Sequence, residues 1–166
     1  MEKFIEDVII SLEAVNDLKL KSDNQWTVAL KKALIDVADN YGLLSNCSNI
    51  GGQYKKNHTD YEWLYDIILY SNKEENILDK VYLAGESEWS YNRGNLENDF
   101  SKLLPVRAKV RLMVYQVRNE NEYNELRNRF IRMIEESSSA IKDDMYLFAV
   151  YFHYKNEFKV EEYTKK

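Results

Sequence analysis

The chain is poor in the residues that usually anchor a functional guess: one cysteine, one proline, two histidines and five glycines in 166 residues. A lone Cys47 excludes an intramolecular disulfide and points to a reducing, cytoplasmic compartment. It has only His58, or the distant His153, as a base, and those three side chains are too few for a zinc site. So little glycine and proline excludes collagen-like, linker-rich and many-turned all-β architectures. No apolar run approaches the roughly 18–20 residues of a membrane span, so no membrane partner is expected. The opening Met1-Glu2-Lys3-Phe4-Ile5-Glu6-Asp7 is acidic and amphipathic, unlike a signal peptide. Gly51-Gly52 lacks the strand and the Lys-Ser/Thr of a phosphate loop.

What is present is an ordinary core with a wet surface. Hydrophobic residues make up 45% and charged residues 31%, and thirteen tyrosines inflate the first figure. Length and composition fit a single domain over residues 1–166. The net charge of −5 hides an asymmetry: residues 1–100 hold 10 Lys/Arg against 18 Asp/Glu, residues 101–166 hold 13 against 10. The basic excess lies in Arg107, Lys109, Arg111, Arg118, Arg127, Arg129 and Arg132. That run is either a solvated set of edges or a local surface for phosphates.

Periodicity gives the element order. Phe4, Val8, Leu12 and Val15 predict a helix over 2–18, and Asp23 or Asn24 caps a second one ended by Gly42. Residues 43–59 show no apolar period and read as a loop. Tyr61–Tyr70 and Val81–Trp89 read as strands, separated by a charged turn. A helix over 95–104 stopped by Pro105, a strand at Val110–Val117, a helix at Asn121–Ser138 and a hairpin of 146–153 with 158–163 complete the chain. The class is α/β (α+β), with a central mixed sheet of about five strands flanked by helices.

Four carboxylates stand where strands disfavour them. Glu62 and Asp66 share one face of the first predicted strand, and Glu86 and Glu88 one face of the second. Acids grouped at strand ends need a counter-charge, which a hard divalent cation supplies, unless they simply face water.

A strand bearing an acid, a turn, a second strand ending in acid-x-Lys, then a helix and another strand form the core of the PD-(D/E)xK nuclease superfamily. Residues 55–120 resemble it: Asp66 matches the first acidic position and Glu86-Ser87-Glu88 the second motif. The resemblance implies a restriction-endonuclease-like core over about 55–166 behind a helical region over 1–45. It implies Mg2+ or Mn2+ held by Asp66, Glu86 and the Ser87 carbonyl, and phosphodiester hydrolysis of nucleic acid, DNA rather than RNA. Glu88 or Lys102 would position or activate the water, which makes Asp66, Glu86, Glu88 and Lys102 the expected catalytic set. Glu62 would hold a second metal or form a rim charge. Trp63, Trp89 and Tyr91 would meet bases or sugars, and a two-fold homodimer would suit the cutting of both strands of a duplex. Two departures stand out: Glu88 replaces the usual lysine, with Lys102 as a migrated substitute, and Tyr65 stands where a proline is common. The rival class is a non-enzymatic acidic binding protein, such as a toxin-neutralising immunity protein or an inactive nuclease-like module, meeting a basic protein partner.

Overall fold

Phe4, Val8 and Leu12 are buried along one side of α1 (Glu2–Ala14), which winds on into a short 3-10 turn at Val15–Leu18. The apolar stripe predicted over 2–18 therefore ends in a tighter turn, closed by Lys19 in the left-handed region at φ 50°. In α2 (Asp23–Asn40) the cap is Ser22, one residue before the expected Asp23 or Asn24, with its hydroxyl accepting the Gln25 N–H at 3.3 Å. Gly42 ends the helix as expected, at φ +64°, in the left-handed region that glycine enters at least cost.

The computed structural model describes residues 2–166. It has two compact units, one ending at Gly85 and one running from Glu86 to Lys166. In the first, β1 (Leu44–Cys47) pairs in parallel with β2 (His58–Asp60) and antiparallel with β3 (Ile67–Glu74). β4 (Ile77–Glu88) runs antiparallel to β3, from Glu74 opposite Ile77 to Ile67 opposite Gly85, and its last three residues belong to the second unit.

Two expectations need correction here. The supposed loop 43–59 contains β1 and the first two residues of β2, short strands with polar residues that carry too little period to be read from sequence. The predicted strand Tyr61–Tyr70 becomes a strand only at Ile67; residues 61–66 are bends and irregular chain, so Glu62 and Asp66 do not share a strand face. The aromatic run looked strand-like, yet Tyr61, Trp63 and Leu64 are exposed at 61%, 43% and 67%.

The second unit begins with the end of β4 and continues through α3 (Arg93–Leu103), β5 (Ala108–Val117), α4 (Glu120–Glu136), β6 (Met145–Phe152) and β7 (Glu157–Thr164). β5 and β6 are parallel, joined through α4, and β6–β7 is an antiparallel hairpin. Asn92 and Asn119 cap α3 and α4, accepting the N–H groups of Asn95 and Glu122 at 3.2 and 2.9 Å. The core is aromatic: Phe100 of α3 stacks on Phe130 of α4 at 4.2 Å between centroids, with Phe148 of β6 6.0 Å from Phe100. The class is thus α/β with mixed strand pairing and flanking helices, and the described residues form seven strands where about five were expected. No described helix is long and apolar enough to cross a membrane.

Candidate active site

Glu86 lies on β4 and is only 3% exposed, an acid that the fold takes almost wholly out of water. Burying a carboxylate is costly unless a cation or hydrogen-bond donors accompany it. The companion comes from α3, where Lys102 Nζ donates to Glu86 Oε2 at 3.2 Å. The same ammonium sits 2.7 Å from Asp99 Oδ1, one turn earlier on α3. The hydrogen bond with Asp99, and then the charge of Glu86, hold the Lys102 pKa above its ordinary value. Lys102 is therefore a fixed cation near neutral pH and not a proton acceptor.

The local sequence explains the placement. Leu96, Phe100 and Leu103 are buried on α3, which leaves Lys102 at the margin of that stripe, half-exposed. Lys102 Nζ reaches Glu86 while half of its side chain stays in solvent. Glu88, the last residue of β4, is half-buried and accepts the Ser90 N–H at 2.7 Å, so its carboxylate braces the turn into α3. Ser87 is half-buried between them. Past the turn, the Gln116 side chain of β5 donates to the Trp89 carbonyl. Asp66 belongs to the first unit, half-buried at the bend that precedes β3.

Glu62 is engaged elsewhere. It accepts from Lys31 Nζ at 3.4 Å and Ser48 Oγ at 3.0 Å, while Lys31, 5% exposed, also donates to the Ser48 carbonyl at 3.1 Å. This clamp escaped the sequence reading because Lys31 looks like an ordinary solvated helix residue. Among the described residues, no three His, Cys, Asp or Glu side chains form a metal-binding group.

The basic run also changes meaning. Arg111 is 2% exposed and pairs with Asp144 at 2.9 Å, so it is part of the interior. Arg118 pairs with Glu122, Arg127 with Glu161, Arg129 with Glu97 and Arg132 with Glu136. Five of the seven cations counted as a phosphate surface are thus tied to carboxylates. Arg107 and Lys109 are exposed around the start of β5. Glu97 takes Arg129 and Arg93 together, and these two hydrogen bonds hold its carboxyl below the usual range.

Cys47 and His58 do meet, with Sγ 3.5 Å from Nε2 and both residues buried. The ring is nevertheless oriented against catalysis. Tyr54 N–H donates to Nδ1 at 3.1 Å, which assigns the proton to Nε2, and Nε2 then donates to the Cys47 carbonyl at 3.1 Å. A protonated Nε2 cannot take the thiol proton, and burial pushes the Cys47 pKa up to about 11. With the thiolate fraction at pH 8 cut about 100-fold, alkylation by iodoacetamide is expected to be at least that much slower in the native protein than in urea. Mass spectrometry of a time course checks this; equal rates would mean that the β1–β2 region opens readily.

Compared with known proteins, the chain matches no family model, no curated protein and no solved structure.

Proposed function

We propose that this chain is a metal-dependent nuclease with a restriction-endonuclease-like core of the PD-(D/E)xK type, hydrolysing phosphodiester bonds of nucleic acid, with DNA as the preferred substrate, in the cytoplasm. One observation carries the reading: a nearly enclosed strand carboxylate, Glu86, faces an ammonium delivered by the following helix, Lys102, at 3.2 Å. The resemblance asks for that pairing once the lysine of the second motif has become Glu88.

The donor chemistry fits a hard cation. Asp66 and Glu86 offer carboxylate oxygens and Ser87 a backbone carbonyl, the ligand types that Mg2+ and Mn2+ take. A bound cation would lower the pKa of a water and offset charge growing on the phosphate. The protein's own part is electrostatic and orienting. Lys102, held by Asp99, places a fixed positive charge beside Glu86, where it stabilises the developing oxyanion and aligns the attacking water. Glu88, braced on the Ser90 N–H, holds the turn that leads from β4 to α3.

Calorimetric titration of Mg2+ and Mn2+ into the wild type, Asp66→Ala and Glu86→Ala tests the reading. Binding that either substitution abolishes, together with Mg2+-dependent cleavage of DNA or RNA, is the expected result. No binding at millimolar metal, with an oligonucleotide present, would end it. The acidic face would then be searched for a protein partner.

A further inference from the structure

Between the first turns of α3 and α4, beside the turn that follows Glu88, lies a pocket of about 190 Å3. Its floor is apolar, formed by Leu96 and Leu126, which are 2% and 5% exposed. One wall is the Tyr91 ring, 36% exposed, with the Arg118 guanidinium 4.7 Å from its centroid. Arg118 is fixed there by Glu122, through Nη2 to Oε1 at 2.8 Å and through its own backbone N–H to Oε2 at 2.6 Å. Arg93 completes the basic side and donates Nε to Glu97 at 2.9 Å, which uses one of the five donors of its fork. Opposite in chemistry stands Glu125, whose Oε1 accepts from Asn121 at 2.8 Å.

We infer that this pocket binds a guanine base unstacked from a nucleic-acid strand. The strand rests on the nuclease reading; the base site rests on the pocket. An apolar floor and an aromatic wall bearing a guanidinium suit the face of a base, and such stacking serves any base. The polar rim is selective, because its arginines only donate and its carboxylates only accept. Guanine has two adjacent donors, N1–H and N2–H2, on one edge and two adjacent acceptors, O6 and N7, on another. Adenine mixes donor and acceptor along both edges and cannot satisfy a donor-only and an acceptor-only side as fully. Pyrimidines have a single ring and leave part of the pocket unfilled. The pocket borders the turn that follows Glu88, so on the nuclease reading it would read a base of the bound strand.

The test is a titration of GMP, AMP, CMP and UMP without divalent metal, followed by fluorescent oligothymidylates with and without one guanine. Expected are GMP binding at least about 10-fold tighter than AMP, the same preference in the oligonucleotides, and a loss of about 10-fold or more in Tyr91→Ala. Tyr91→Phe keeps the stack and is expected to bind as the wild type does, and Glu125→Gln narrows the gap between GMP and AMP. Equal binding of the four nucleotides, no binding at millimolar concentration, or Tyr91→Ala indistinguishable from wild type would overturn the inference. Guanine preference without Mg2+-dependent cleavage would keep the base site and remove the nuclease reading. Cleavage without guanine preference would do the reverse.

Discussion

On the nuclease reading proposed above, Lys102→Met is expected to lower kcat for phosphodiester cleavage by about 10^2–10^3-fold, while Mg2+ affinity stays within a few-fold of wild type. The magnitude is that of removing one preorganised charge or donor aimed at a developing oxyanion. It separates Lys102 from Glu86 and Asp66, whose loss is expected to remove the metal itself. Lys102 is half-exposed, so its loss opens no cavity, but it strips the partner from an acid that is 3% exposed. The double variant Glu86→Gln/Lys102→Met controls for that cost in thermal melts, and Lys102→Arg is expected to retain part of the activity. Because Asp99 and Glu86 hold the lysine pKa above its usual value, no alkaline limb from Lys102 is expected in the rate profile below about pH 10. A Lys102→Met enzyme as fast as wild type would leave the ion pair a purely structural one.

Arg111→Met is expected to cost about 3–5 kcal/mol of unfolding free energy, the range for removing one partner of a buried ion pair. The side chains of Arg111 and Asp144 are 2% and 9% exposed, and their closest approach is 2.9 Å. Arg111 also donates to the carbonyls of Val106 and Ala108 at 2.7 and 3.2 Å, and lies 5.2 Å from the Tyr146 ring centroid. Removing it orphans Asp144, whose other oxygen accepts the Ile141 N–H at 2.8 Å. Arg111→Met/Asp144→Leu, which removes both charges, is expected to recover most of the loss. Urea denaturation gives both values; a single-variant loss under about 1 kcal/mol would show that the pair is hydrated in solution. Domains of this size have only about 5–15 kcal/mol of stability, so the single variant loses a large share of it.

These two residues also show where sequence reading works. Lys102 was legible because Leu96, Phe100 and Leu103 fix a helical stripe, and a stripe fixes what stands at its edge. Glu86 was legible as an acid on an apolar strand. Arg111 was not, because a charge between Val110 and Leu112 gives no sign of an Asp144 waiting beyond α4, just before β6. The same blindness made the basic run look like a phosphate surface: Glu161 and Glu97 lie 34 and 32 residues from the arginines they hold. Helices α1 to α4 fell close to their expected bounds, since period and caps are local signals. β1 and β2 did not, since Leu44–Cys47 and His58–Asp60 are too short and polar to alternate visibly. Asp66 was read onto a strand face from an aromatic run that the chain leaves outside β3.

The stacked rings of Phe100, Phe130 and Phe148 carry a consequence for how this protein can drift over generations. Phe100 stands two residues before Lys102, and its ring is clasped by α4 and β6. The position of the ammonium is thus set from the interior through Phe100 and from the helix surface through Asp99. Trimming any of the three rings would therefore misplace that charge as well as cost stability, about 3–5 kcal/mol for a Phe→Ala change in a closed core.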